Sequence, residues 1–105
     1  MRTREELRWA AGFYEGEGSI FSSRKGIGVE IHQVDREPLD KFVSYVGIGK
    51  VMGPYGPYGI KKIREHQPIY KYVATGFEAA QAVVAMLWFD LSPRRQNQMK
   101  EALTR

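Results

Sequence analysis

Cysteine is absent from this 105-residue chain. That excludes a disulfide framework, a thiolate zinc site and a cysteine nucleophile, and it suits a reducing compartment. Long apolar runs are missing as well. None approaches the ~20 residues that cross a bilayer, and the opening Met1-Arg2-Thr3-Arg4-Glu5-Glu6 lacks the apolar stretch of a signal peptide. The expectation is an intracellular protein of the cytoplasm or an organelle matrix, not secreted, with no membrane partner. Histidine occurs twice, at His32 and His66, without the spacing of a zinc site, so neither reads as a metal ligand. The length fits one domain, residues 1–105.

What is present is ordinary for a globular protein, with 43% hydrophobic and 27% charged residues. Sixteen Lys and Arg against twelve Asp and Glu give a net charge of +4. With a pI near 9.5, that balance suits a partner carrying phosphates.

Thr3-Arg4-Glu5-Glu6 reads as a capping box, and Leu7, Ala10, Ala11 and Tyr14 recur at helical spacing. This predicts a helix over about residues 4 to 15, left through a glycine in the left-handed conformation. Ser19 to Arg24 and Ile27 to Val34 flank the Lys25-Gly26 turn signal and predict a hairpin with one dry and one wet face. Asp35 is the expected N-cap of a second amphipathic helix through Leu39, Phe42, Val43 and Val46, ended by Gly47. Lys50 to Gly53 reads as a short strand, Gly53 to Gly59 as a loop, and Ile69 to Ala74 as a strand. Thr75-Gly76-Phe77-Glu78 reads as a second capping box opening a helix through Leu87, and Ser92-Pro93 opens a last, short helix. Two strand pairs separated by helices imply an α+β domain, a four-stranded antiparallel sheet with helices on one face. The other face is left free to bind.

The densest signal is Ala10-Ala11-Gly12-Phe13-Tyr14-Glu15-Gly16-Glu17-Gly18-Ser19-Ile20. Gly12 sits inside a helix, where glycine costs ~1 kcal/mol against alanine, and the Gly12 to Gly16 spacing lets another helix approach closely. Glu17, between two glycines, could project into a cleft as a hard oxygen ligand for Mg²⁺, or stand as a surface glutamate in an ordinary turn. Ser23, Glu30 and His32 on the wet strand positions, with Lys25, Lys61, Lys62, Arg64 and Lys71, form either a DNA-facing set or a solvated face with scattered charge. Tyr55, Tyr58, Tyr70 and Tyr72 either stack on bases or pack the core.

Ala11-Gly12-Phe13, Glu15 and Glu17-Gly18-Ser19 resemble the LAGLIDADG motif of homing endonucleases, with Ala10 at a usual leucine and glutamates at both aspartates. Ile31-His32-Gln33, Leu39-Asp40-Lys41-Phe42, Gly47-Ile48-Gly49-Lys50-Val51 and Leu91-Ser92-Pro93-Arg94-Arg95-Gln96 resemble later blocks of that family. The resemblance implies an αββαββα fold whose sheet lies in the DNA major groove. It implies a site-specific, metal-dependent cut of double-stranded DNA, with no small-molecule substrate. One motif copy implies a homodimer on a pseudo-palindromic site, paired through the motif helices at Ala11, Gly12, Glu15 and Gly16. Mg²⁺ or Mn²⁺ is then expected at Glu17 and Gly16. Gln33 would orient the attacking water and Arg94 would stabilise charge on the phosphate; Arg95 is the runner-up for that place, since the spacing can slide by one, and otherwise a neighbouring DNA contact. Two other readings stand beside this one: a non-cleaving DNA- or RNA-binding protein on the same fold, such as a maturase or regulator, and a protein-interaction domain whose glycines serve only dimerisation.

Overall fold

The computed structural model describes residues 2–55 and 68–104. Its first helix, α1 (Arg4–Glu17), opens on the reciprocal cap read from the sequence: the Glu6 amide donates to Thr3 Oγ1 at 3.1 Å and the Thr3 amide to Glu6 Oε1 at 3.0 Å. The helix runs two residues further than its apolar spacing predicts and makes Glu17 its last residue. It does not leave through a left-handed glycine. Gly18 is extended, with φ −90° and its amide on the Tyr14 carbonyl, and it is glycine for a different reason, since a Cβ there would fall on the Tyr14 ring.

Strands β1 (Gly18–Ser23) and β2 (Gly26–Gln33) form the expected hairpin, in register Gly18 with Ile31 and Ser23 with Gly26. Helix α2 (Glu37–Val46) ends at Gly47, whose φ of 73° is the left-handed conformation that glycine favours. Its start differs from the expectation, because Arg36 and not Asp35 is the N-cap and no side chain caps the helix. Had Asp35 capped it, Pro38 would stand at the third helical position, where it has no amide to donate, and only the Glu37 amide would be left for the carboxylate.

Strand β3 (Lys50–Tyr55) continues past the expected end at Gly53 through an irregularity at Gly53-Pro54, where the pairing jumps from Met52–Lys71 to Tyr55–Ile69. The rest of the Gly53–Gly59 stretch lies outside the described residues, as do Tyr58, Lys61, Lys62, Arg64 and His66. Strand β4 (Ile69–Thr75) pairs with both β2 and β3, giving one antiparallel sheet in the order β1-β2-β4-β3. Thr75 does not cap the next helix. It stays in the ladder opposite Gly28, the Gly76 amide bonds the Ile27 carbonyl at 2.8 Å, and Gly76 at φ 106° becomes the cap of α3 (Phe77–Leu87). A 3-10 turn (Trp88–Asp90) then leads to α4 (Pro93–Leu103), capped by Ser92 and, at 11 residues, as long as α3 and not the short helix expected.

Alternate sheet positions Ile27, Val29, Ile31, Tyr72 and Ala74 are buried in one cluster with helix residues such as Ala10, Tyr14, Phe42, Val83 and Met99. All four helices therefore lie on one sheet face, and burying each large apolar side chain contributes ~1.5–3 kcal/mol. Tyr72 belongs to this core: its ring meets Phe42 edge-on at 4.8 Å and its hydroxyl donates to the Ile48 carbonyl at 2.7 Å. Burial raises the pKa of that hydroxyl.

Candidate functional site

The chemistry-bearing residues gather where α1 ends, because the sheet register and the α1–α4 contact both converge there. Glu17 closes α1 and leads directly into Gly18, the partner of Ile31; two residues beyond Ile31, on the same sheet face, β2 ends at Gln33. Glu17 is exposed, and no described residue hydrogen-bonds or ion-pairs with its carboxylate. Gln33 is half-buried opposite Tyr70. Gly16, also exposed, lies in the last turn of α1, where backbone carbonyls lack partners within the helix.

Helix α4 is fastened to the same end by Glu15. Its carboxylate accepts from the Ser92 amide at 2.9 Å and the Ser92 hydroxyl at 2.7 Å, which holds its pKa below the usual carboxylate range, with Arg95 and Arg94 adding to the effect. In return Arg95 donates Nε at 3.1 Å and Nη2 at 2.9 Å to the Glu15 carbonyl, and Nη1 at 3.2 Å to Gln98. Arg95, expected against DNA, is thus engaged inside its own chain, with its guanidinium over the Tyr14 ring. Arg94 points outward: its side chain is 64% exposed and its one described ion pair is a 3.9 Å contact with Glu15. Glu17, Gln33 and Arg94 therefore occupy one end of the molecule, and Glu15 serves as a strut between helices.

The expected pairing surface divides. Ala11 has no exposed area, being packed in the core of its own chain, and has nothing to offer a second copy. Gly12 and Gly16 are exposed, and a Cβ on either would meet no described atom outside the helix's own backbone within 4 Å. They continue a helical stripe from Glu5 and Arg8, and a 4.0 Å contact between Arg8 and Asp90 brings the 3-10 turn beside it. Phe89 in that turn is 88% exposed, the most exposed large apolar side chain described. Sequence reading missed it, although a phenylalanine between two helix signals was visible.

On the sheet face away from the helices, the register places Ser19 opposite Glu30, His32 opposite Lys71, and Lys50 opposite Val73. Glu30, His32 and Lys71 were expected there; Ser19 and Lys50 follow from period-2 alternation once the pairing is known. Lys71 Nζ lies 5.9 Å over the Tyr55 ring, and Phe21 covers Gly28, where a Cβ would collide with its ring. Ser23 and Lys25 are at the hairpin tip, with the Lys25 amide on Ser23 Oγ at 3.2 Å. Among the described residues no group of three or more His, Cys, Asp or Glu could hold a metal ion.

No family model matches the chain, and no curated protein matches it in sequence. Solved structures do. The homing endonuclease I-CvuI, in a complex with the I-CreI target and Mg described as not cleaved, superposes with TM-score 0.68 at 18% identity, over 96% of this chain and 65% of that one. The group I intron-encoded homing endonuclease I-CeuI, complexed with DNA, superposes with TM-score 0.72 at 12% identity, over 99% and 55%. The LAGLIDADG homing endonuclease I-GzeII, in complex with its DNA target, gives TM-score 0.69 at 18% identity, over 99% and 36%. The chain thus has the fold of these LAGLIDADG homing endonucleases, and spans about two thirds or less of the length of each.

Proposed function

We propose that the protein is a site-specific double-strand DNA endonuclease of the homing type, acting as a homodimer inside the cell. The observation that supports this reading is the likeness of the fold to DNA-bound homing endonucleases, with Glu17 at the end of α1, Gln33 at the end of the strand paired beside it, and Arg94 on the helix that Glu15 ties to the same end. A carboxylate with no hydrogen-bond or ion-pair partner among the described residues and a backbone carbonyl in the last turn of a helix are hard oxygen donors of the kind Mg²⁺ or Mn²⁺ takes. Glu17 and Gly16 would hold such an ion together with Glu17 of a second copy. The ion, when bound, supplies Lewis-acid polarisation and an activated water.

The chain's own groups do the rest. The Gln33 amide accepts and donates hydrogen bonds and would orient the attacking water. The Arg94 guanidinium, a cation, would stabilise charge developing on the phosphate electrostatically. Ser19, Glu30, His32, Lys50 and Lys71 present donors and acceptors for base edges and phosphates, with Lys25 at the hairpin tip. Two copies related by a twofold axis would read a pseudo-palindromic duplex. The exposed Gly12, Gly16 and Phe89 surface is where they would meet.

The test is cleavage of a randomised duplex library containing partial palindromes, in Mg²⁺ and in EDTA, by the intact protein and by Glu17→Gln. Mg²⁺-dependent enrichment of one cut site by the intact protein alone supports the reading. Salt-sensitive binding to a selected site with no cut by either protein overturns cleavage and leaves a DNA-binding protein.

A further inference from the structure

Two helix ends meet at residues 15 and 92–95, and each supplies what the other lacks. The last carbonyls of α1 have no partners within the helix, and no basic residue lies in its last turn; Arg95 of α4 fills both gaps with two hydrogen bonds to the Glu15 carbonyl. The first amides of α4 have no partners within that helix, and no acidic residue lies in its first turn; Glu15 of α1 brings its carboxylate to Ser92, whose hydroxyl in turn accepts from the Arg95 amide at 3.2 Å. The ring of Tyr14 lies beneath the Arg95 guanidinium and against Gly18, so the clamp closes on the backbone that carries Glu17.

Resting on the nuclease reading above, we infer that Glu15 and Arg95 are positioning residues, a two-way clamp that fixes Glu17, two residues past Glu15, relative to Arg94, the residue before Arg95. Neither need touch DNA. The clamp joins segments 77 and 80 residues apart in sequence, and its hydrogen bonds, with the 3.9 Å Arg94–Glu15 ion pair beside them, tie together the two segments that carry the candidate catalytic groups. Bidentate donation requires a guanidinium, and lysine with a single ammonium cannot reproduce it.

The test compares the intact chain with Arg95→Ala, Arg95→Lys and Ser92→Ala on one duplex recovered from the randomised library. It measures affinity in EDTA, the single-turnover cut rate at saturating protein in Mg²⁺, and amide exchange at Gly18 and in β4. A misplacement of about 1 Å is expected to slow the cut by about a hundredfold in Arg95→Ala, with affinity within about threefold of the intact chain and partial recovery in Arg95→Lys. Exchange at the Gly18 amide should rise by about tenfold or more while β4 amides keep their protection. If Arg95→Ala does not fold, Arg95→Lys carries the comparison for the Arg95 half of the clamp, and Ser92→Ala, which removes the hydroxyl bonds to the Glu15 carboxylate and the Arg95 amide, carries it for the Glu15 half, with the same slowed cut and raised Gly18 exchange expected of each. A variant that cuts as fast per bound duplex, or one whose exchange rises equally everywhere, overturns the clamp while leaving the nuclease. An intact chain that cuts nothing overturns the nuclease reading and this role with it.

Discussion

Replacing Gly12 with alanine is expected to strengthen the single chain and weaken the pair. Gly12 lies in the middle of α1 on its exposed side, and an added methyl would meet no described atom outside the helix's own backbone within 4 Å. Within one chain the change therefore removes only the conformational cost of glycine in a helix, ~1 kcal/mol. For a domain of this size that raises Tm by about 4–8 °C, measured at concentrations where the chain is monomeric. In a twofold pair the methyl enters the contact twice. Overpacking costs ~1–3 kcal/mol per site, so the pair loses ~2–6 kcal/mol and its dissociation constant rises by about 30-fold or more. Sedimentation equilibrium of both proteins, with thermal unfolding at two concentrations, measures the two effects separately. A variant that lowers the dilute Tm would show that Gly12 is packed within its own chain. One that leaves self-association unchanged would refute the assignment of this stripe to a second copy.

Three further outcomes are expected. Gly18→Ala places a Cβ on the buried Tyr14 ring and should destabilise by about 2 kcal/mol or more, read as a lowered denaturant midpoint with unchanged slope. Tyr14→Phe should stabilise by ~1 kcal/mol, because the hydroxyl is buried without a described hydrogen-bond partner, and burial has already pushed its pKa up to about 12; a lowered Tm would contradict this. Glu15→Gln should destabilise at neutral pH. The Glu15 carboxyl has a depressed pKa in the folded chain, so its contribution is complete above the usual carboxylate range and fades as pH falls through the folded value. The stability gap between the two proteins should close on acidification, and a gap constant from pH 7 to pH 3 would count against the Ser92 and Arg95 contacts as its origin.

The sequence made legible whatever depends on neighbours within a turn or a strand. Thr3 and Glu6 are three residues apart and cap as read; Gly47 exits α2 as read; the β1–β2 alternation follows from Ile27, Val29 and Ile31. What failed depended on competition from elsewhere in the fold. Thr75 carries every local sign of an N-cap, yet its place opposite Gly28 in the ladder holds it in the strand. Glu17 was legible as the exposed carboxylate, but the service of Glu15 and Arg95 as a clamp was not, since each acts on a residue about eighty positions away. Phe89 belongs to the same class, because its exposure is a property of what the 3-10 turn packs beside.

Helix α1 shows why so much chemistry is compressed into residues 10 to 18. A helix repeats every 3.6 residues, so three neighbours can be served by interleaved positions in one stretch. Ala10, Ala11 and Tyr14 face the sheet and are buried; Gly12 and Gly16 lie on the open stripe; Glu15 and Glu17 belong to the end that meets α4 and β1. Each set restricts the others. A larger residue at position 18 is barred by Tyr14, which fixes where the helix turns into β1, and that turn decides where the Glu17 carboxylate stands. If the second copy approaches over Gly12 and Gly16, its own α1 ends beside this one, and the two lone carboxylates come together only because no side chain on the stripe keeps the helices apart. On the proposed reading, the glycines that weaken the single helix would allow a site shared by two copies, to which each brings a Glu17 carboxylate that has no hydrogen-bond or ion-pair partner among the described residues.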